Sequence, residues 1–171
     1  MNDQDAPITP PELAARRRSR ESGFSLLELL IVCAVIGIIA NIAIPALYSA
    51  LYRAKAARII EDFNLVRTTV HEHYADHSFY PPERGPGTEP PELSSYLQGR
   101  LVWTHEDYQY DWELWVDGSG NPTEPSTGVL VGFSIVTSDP DLANAVHKIF
   151  KGTIIDTIPN HTTFVIEPYN G

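Results

Sequence analysis

The sequence predicts an α+β fold in which one long N-terminal helix precedes a small antiparallel β-sheet. Three patterns support this fold class: an uncharged apolar run, a helical stripe of apolar residues directly after it, and alternating apolar and polar residues further along. The first half of the helix is predicted to span a membrane, and the second half to pack on the sheet. The chain then divides into a leader peptide (1–23), a transmembrane helix (24–52) and a soluble head domain (53–171).

The apolar run from Leu29 to Tyr52 contains 24 residues and no charge. A helix of that length spans roughly 36 Å, which exceeds the roughly 30 Å hydrocarbon core of a bilayer. A buried helix of a soluble protein is the alternative, but such helices are usually shorter. Basic residues flanking a span stay in the cytoplasm, so the C-terminal part is predicted to face outward. The basic residues before the run are Arg16, Arg17, Arg18 and Arg20.

The leader from Met1 to Gly23 is polar and has no apolar stretch of its own. A secretory signal peptide is cut after its apolar core, at small residues. Here the small residue, Gly23, comes before the core, so a cut at this point leaves the apolar helix as the N-terminus of the mature chain.

Beyond Tyr52 the helix is predicted to continue to about His77 as an amphipathic segment. Apolar residues recur every three or four positions, which predicts one face packed against a folded domain. A coiled-coil seam is the alternative, but the stripe is too short to sustain it. The residues of this stripe are Ile59, Phe63, Val66, Val70 and Tyr74.

The head domain begins with a proline-rich stretch, 79–91, which predicts an extended loop, and 90–97 predicts a short helical turn. Residues 101–104 predict a short strand. The segment 108–116 alternates between apolar and polar side chains, which predicts a strand with one buried face. On this pattern Asp111 and Glu113 are paired carboxylates of the solvated face, with an acid/base pair as the alternative.

Further along, residues 128–137 predict a second strand, and Asp139-Pro140 predicts the N-terminal cap of a helix that ends near Phe150. The segments 153–158 and 162–167 predict a hairpin across Pro159-Asn160-His161.

The stretch Gly-Phe-Ser-Leu-Leu-Glu at residues 23–28, after the arginines and before the apolar run, resembles the class III signal of type IV pilins and type II secretion pseudopilins. The resemblance covers residues 16 to about 52 closely and implies a pilin-like fold. It implies cleavage by a prepilin peptidase between Gly23 and Phe24 and N-methylation of Phe24. It also assigns an assembly role to Glu28, Gly37 and Pro45, with unwinding between the last two when subunits pack.

Glu28 is the only charge between the leader and Arg53, and a carboxylate in hydrocarbon is costly. Cleavage after Gly23 places a positive amine on Phe24, and in a staggered stack the carboxylate of one subunit can reach the amine of its neighbour. Such a buried pair sets register more than net stability, because a misplaced subunit leaves both charges unpaired. The alternative is a glutamate that snorkels to the headgroups.

The function that the resemblance implies is a filament subunit of a type IV pilus or a secretion pseudopilus, and not an enzyme. The implied partners are related pilin subunits, the prepilin peptidase, an inner-membrane assembly platform and membrane lipid. The implied location is the bacterial inner membrane, with the N-terminus cytoplasmic. The alternative is a single-pass membrane-anchored binding or enzymatic domain. Type IV pilins often carry a C-terminal disulfide loop, and the single cysteine, Cys33, lies in the apolar run, which favours a pseudopilin-like or minor subunit.

Composition and motifs point away from other function classes. The 171 residues carry a formal net charge of −10, and the part from Arg53 onward contains 8 basic and 17 acidic residues. Because such a surface repels phosphate groups, no nucleic-acid partner is expected. Nucleophile elbows, phosphate-binding glycine loops and Cys/His dyads are absent from the sequence. Three tryptophans (Trp103, Trp112 and Trp115) predict core packing, with a sugar- or partner-binding patch as the alternative.

No cofactor and no resident metal is predicted. His73 and His77 are four residues apart on a helix, a spacing that can bind zinc, but the sequence fixes no third ligand. Asp117, Ser119 and Asn121 alternate like the oxygen ligands of a calcium loop, and the resemblance to major pseudopilins adds weak support for calcium. A hairpin turn requires the same residue types.

Overall fold

The computed structural model describes residues 23–115, 129–156 and 158–168, and these confirm the α+β fold class. The described residues divide into two units, of which the first ends at Ile42 and the second begins at Ala43. Helix α1 (Leu26–His77) ends at the predicted residue and continues through Pro45 without a break in the assigned helix. The other helices are α2 (Pro91–Leu97) and α3 (Pro140–Ile149), and the strands are β1 (Gln109–Leu114), β2 (Val129–Val136), β3 (Ile154–Ile155) and β4 (His161–Pro168).

The four strands form one antiparallel sheet in the order β1-β2-β4-β3. Trp112, Phe133 and Phe164 lie opposite one another across β1, β2 and β4, on the face that forms the core. The predicted hairpin is present as β3 paired with β4, and Asn160 between them has a left-handed φ of 64°.

The second half of α1 packs on this sheet through the predicted stripe. The ring of Phe63 stacks on Phe164 at 5.0 Å and meets Phe150 edge-on at 5.3 Å. Tyr74 was wrongly placed in the stripe, because it is 43% exposed and stacks on Tyr80 instead. The next buried position after Val70 is His73, three residues further along the chain. An α-helix has 3.6 residues per turn, so spacings of three as well as four keep residues on the same face.

The predicted cap of α3 is confirmed. The Asp139 carboxylate oxygen Oδ1 accepts hydrogen bonds from the backbone N–H groups of Asp141 (2.9 Å) and Leu142 (3.4 Å). Its other oxygen accepts a hydrogen bond of 2.8 Å from the Tyr52 hydroxyl of α1. One side chain therefore starts α3 and ties its first turn to α1.

Two further predictions need correction. The segment 101–104 is not a strand: its backbone forms a single bridge, Thr104 with Gln109, although Leu101 and Trp103 are buried. The face of β1 that carries Asp111 and Glu113 is not solvated, because these side chains are only 6% and 4% exposed. All three tryptophans are buried. Trp103 and Trp112 belong to the core, as predicted, whereas Trp115 covers Gly132 on the opposite face of the sheet.

Candidate functional site

The N-terminus of α1 is built by reciprocal hydrogen bonds between Ser25 and Glu28. The Ser25 hydroxyl oxygen accepts from the Glu28 backbone N–H at 3.1 Å. The Glu28 carboxylate oxygen Oε2 accepts from both the backbone N–H and the hydroxyl of Ser25, each at 2.9 Å. This is a capping box, in which two N–H groups at the start of a helix satisfy their hydrogen bonds within the same turn.

The sequence analysis missed this role of Glu28, although the signal was present as Ser-x-x-Glu directly before an apolar run. Glu28 therefore has a function within its own chain in addition to the pairing predicted between subunits. The two roles use the carboxylate differently, because the cap needs a hydrogen-bond acceptor and the subunit pair needs a negative charge.

The predicted cleavage site lies immediately before this cap. Phe24 is 77% exposed, and Gly23 is exposed as well. A Cβ added to Gly23 would meet no atom within 4 Å, and a Cβ at Gly37 would also point into open space. Among the described residues, packing therefore requires a small side chain at neither position.

The first half of α1 exposes an almost continuous apolar surface. Four of its apolar side chains are each more than 60% exposed: Leu26, Leu30, Ile38 and Leu47. The most apolar stretch of 18 residues in the helix is not buried. Among the described residues, one helix is long enough and apolar enough to cross a membrane, and this helix is α1. A surface of this size is stable only in lipid or against other apolar surfaces.

One polar side chain interrupts this surface. The Asn41 amide donates a hydrogen bond of 2.8 Å to the carbonyl of Gly37, one turn earlier. Pro45 has no N–H, so it cannot donate to the carbonyl of Asn41 four residues before it. The helix therefore lacks one backbone hydrogen bond within the segment 37–45, which is the segment predicted to unwind.

The histidine pair at the end of α1 does not gain a third ligand among the described residues. The rings of His73 and His77 stack at 4.5 Å, and His73 Nδ1 lies 3.1 Å from the carbonyl of Phe79. The calcium candidates Asp117, Ser119 and Asn121 lie outside the described residues.

A different cluster of ligating side chains lies on the sheet face opposite the core. Asp111 and Glu113 of β1 and His161 of β4 each offer one ligand atom, and these atoms lie within 4.8 Å of one another. Burial, followed by the charge of Glu113, raises the pKa of Asp111 to about 7, although His161 opposes the shift. Burial also raises the pKa of Glu113. Sequence alone did not point to this cluster, because His161 lies 50 residues further along the chain and two strands away.

Comparison with known proteins bears on the N-terminal site. Residues 18–43 match the family described as the prokaryotic N-terminal methylation motif. This segment is similar to that motif. The motif contains Gly23, Phe24, the Ser25–Glu28 capping box and Gly37, and the prediction of prepilin-type character for this part of the chain is confirmed.

Proteins similar to this chain include pilins and a secretion protein. The type IV major pilin protein PilE1 of Neisseria gonorrhoeae is 33% identical over 82 residues, covering 48% of this chain and 37% of that protein. The type IV major fimbrial protein FimA of Dichelobacter nodosus is 40% identical over 53 residues, covering 31% and 34%. The type II secretion system core protein G of Dickeya chrysanthemi is 30% identical over 90 residues, covering 48% and 59%.

The chain thus spans between about a third and three fifths of the length of these relatives. No solved structure is significantly similar to it.

Proposed function

We propose that this chain is a structural subunit of a type IV pilus or a type II secretion pseudopilus, processed by prepilin peptidase and assembled through its N-terminal helix. The observation that carries the proposal is the match of residues 18–43 to the N-terminal methylation motif. The matched segment includes the start of α1, and the most apolar stretch of this helix is not buried. The motif accounts for the exposed Gly23–Phe24 bond, and assembly accounts for the uncovered apolar surface.

The residues of the helix have distinct roles in this proposal. The peptidase cleaves after Gly23, and the new amine of Phe24 is methylated. In the membrane, Glu28 caps its own helix through Ser25. During assembly the carboxylate pairs with the amine of a neighbouring subunit, and the open surface at Gly37 lets helices approach closely. The missing hydrogen bond near Pro45 makes the segment 37–45 the part of α1 that unwinds with least loss.

Location and partners follow from the same proposal. The arginines of the leader stay in the cytoplasm, α1 crosses the inner membrane once, and the acidic head faces the periplasm or the exterior. The partners are related pilin subunits, the prepilin peptidase and an inner-membrane assembly platform. The head has a mechanical and recognition role and no catalytic one.

Within the two filament classes we propose a pseudopilus or minor subunit. The sequence contains one cysteine, Cys33, which lies in α1, so the head has no intrachain disulfide loop of the kind that type IV pilins often carry. The match to the secretion system core protein G also covers 59% of that protein, against 37% for PilE1 and 34% for FimA.

The proposal is tested by the mass of the chain in its own membranes. We expect mature chains to begin at N-methyl-Phe24 and to lack residues 1–23. Gly23→Val is expected to block cleavage, because a branched side chain crowds a peptidase pocket that accepts glycine. Gly85→Val is the matched control, since Gly85 is another exposed glycine with open space around its Cβ.

Intact mass spectrometry of the membrane and sheared-filament fractions measures both outcomes. Full-length chains that retain residues 1–23 in the wild type, with no filament or secretion defect in Gly23→Val, would contradict the proposal. That result would favour the alternative, a membrane-anchored binding or enzymatic domain.

A further inference from the structure

On the sheet face opposite the core, the residues of β2 that lie between β1 and β4 near the cluster are small. Asp111 of β1, Ser134 of β2 and Thr163 of β4 lie opposite one another in register. Gly132, two residues before Ser134, has no side chain, and Trp115 and Thr163 close over it. Without a large side chain on β2, His161 of β4 reaches across to Asp111, with Nε2 3.5 Å from Oδ2.

The protonation of His161 is fixed by its hydrogen bond to a backbone carbonyl. Nδ1 lies 2.9 Å from the carbonyl oxygen of Pro159, and a carbonyl can only accept, so Nδ1 carries the proton. A neutral imidazole then directs the lone pair of Nε2 at the Asp111 carboxylate, which is also an acceptor. Two acceptors facing each other require a cation between them or a proton on either the ring or the carboxyl.

Glu113 is oriented by a separate hydrogen-bond chain. The Ser134 hydroxyl donates to Glu113 Oε1 at 3.2 Å, and it lies 2.8 Å from the Thr163 hydroxyl, which can donate to it in turn. A ring nitrogen held by a carbonyl and a carboxylate held by hydroxyls are the outer contacts that orient metal ligands in proteins.

Asp111 provides an independent observation. Its oxygen Oδ1 is buried and has no hydrogen-bond partner among the described residues, and the side chain as a whole is 6% exposed. An unpaired buried carboxylate oxygen is costly, and a second carboxylate beside it adds repulsion. The exposed Glu83 adds further negative charge to this face.

We propose that Asp111, Glu113 and His161 form a binding site for a divalent zinc-class metal ion on the outer face of the sheet. Two carboxylates and a neutral imidazole give a ligand set of charge −2, which one divalent ion neutralises. A nitrogen ligand beside carboxylates suits Zn²⁺ better than Ca²⁺, which takes oxygen ligands. Ligands of a tetrahedral zinc ion lie roughly 3.3–3.5 Å apart, so side chains now within 4.8 Å need only small rotations to close on the ion.

This inference does not depend on filament assembly, so it is tested on the purified full-length chain in detergent. The chain is stripped with a chelator and then titrated with Zn²⁺ alone, while bound metal and thermal unfolding are measured. All three tryptophans lie between residues 103 and 115, so their fluorescence reports on the head. We expect one Zn²⁺ per chain and a rise in Tm of about 5–10 °C at a free concentration a hundredfold above Kd.

Matched variants locate the site. Asp111→Asn and His161→Gln are expected to weaken zinc binding about a hundredfold or more and to remove the rise in Tm. His77→Gln and His147→Gln are expected to leave both unchanged. The first disrupts the histidine pair of α1, and the second disrupts an exposed pair in which His147 Nε2 lies 3.0 Å from Asp156 Oδ2.

Three results would overturn the proposal. They are the absence of stoichiometric zinc binding in the wild type, zinc binding that survives both Asp111→Asn and His161→Gln, and stabilisation by Ca²⁺ alone that His161→Gln does not affect.

Discussion

Glu28 has one observed role, in the capping box, and one proposed role, in assembly, and single substitutions can separate them. The capping box needs only an acceptor at this position, and glutamine serves there as well as glutamate. The proposed pair with the amine of Phe24 in a neighbouring subunit needs the charge. Glu28→Gln is therefore expected to preserve α1 and membrane insertion but to reduce assembly roughly a hundredfold or more, because the incoming amine stays buried without a counter-charge. Glu28→Asp is expected to be intermediate, since it keeps the charge with a shorter reach.

Ser25→Ala is the matched control, because it removes the hydroxyl that contributes to the cap and leaves the charge of Glu28 in place. It is expected to loosen the first turn of α1 and to retain assembly. The measurement compares membrane-bound monomer with sheared filament, or secretion activity, for each variant. Normal assembly by Glu28→Gln together with failure of Ser25→Ala would mean that capping is the only role of Glu28.

At the scale of elements, Asp139 holds α3 in place through its cap and its bond to Tyr52. Asp139→Ala is expected to destabilise the head by about 1–2 kcal/mol, because two backbone N–H groups at the helix start lose their acceptor. Tyr52→Phe removes only the bond to α1 and is expected to have the smaller effect. Thermal unfolding of the full-length chain in detergent, followed by tryptophan fluorescence, measures both. An equal loss in the two variants would mean that the link to α1 outweighs the cap.

The sequence predicted the elements better than it predicted their contacts. The length of α1, the cap of α3 and the β3–β4 hairpin follow from local signals such as periodicity, Asp-Pro and turn residues, and all were correct. Residues 101–104 were misassigned because periodicity reports burial, whereas a strand also needs a partner for its backbone. The Asp111–Glu113–His161 cluster could not be predicted from the sequence, because it depends on strand order and register, which no local pattern specifies.

For the molecule as a whole, the buried carboxylates make the head sensitive to pH. Asp111 has an ordinary pKa of 3.8 and a pKa of about 7 in the fold, where Glu113, His161 and the more distant Glu83 surround it. A raised carboxyl pKa means that the fold holds a proton that the unfolded chain releases. Its contribution to stability is therefore greatest below pH 4 and falls as pH rises to about 7, by up to about 4 kcal/mol.

Asp111→Asn removes this dependence. Without metal, the variant is expected to gain stability relative to the wild type as pH rises from 4 to 7. Free energies of unfolding in the presence of a chelator, taken at several pH values, measure this difference. Asp156→Asn, at an exposed carboxylate, is the control and is expected to run parallel to the wild type. A difference between Asp111→Asn and the wild type that does not change with pH would contradict the assignment.

The capping box gives the proposed assembly step a property of its own. A carboxylate that already serves Ser25 in the separate subunit is never without a partner, before or after joining a filament. When a subunit joins the proposed filament, the Glu28 carboxylate exchanges Ser25 for the Phe24 amine of a neighbouring subunit. When the subunit leaves, the exchange runs in reverse. A subunit released from the proposed filament can close its first turn again through Ser25, while the segment 37–45 returns to helix. In the proposed filament, the pairing at Glu28 is therefore reversible.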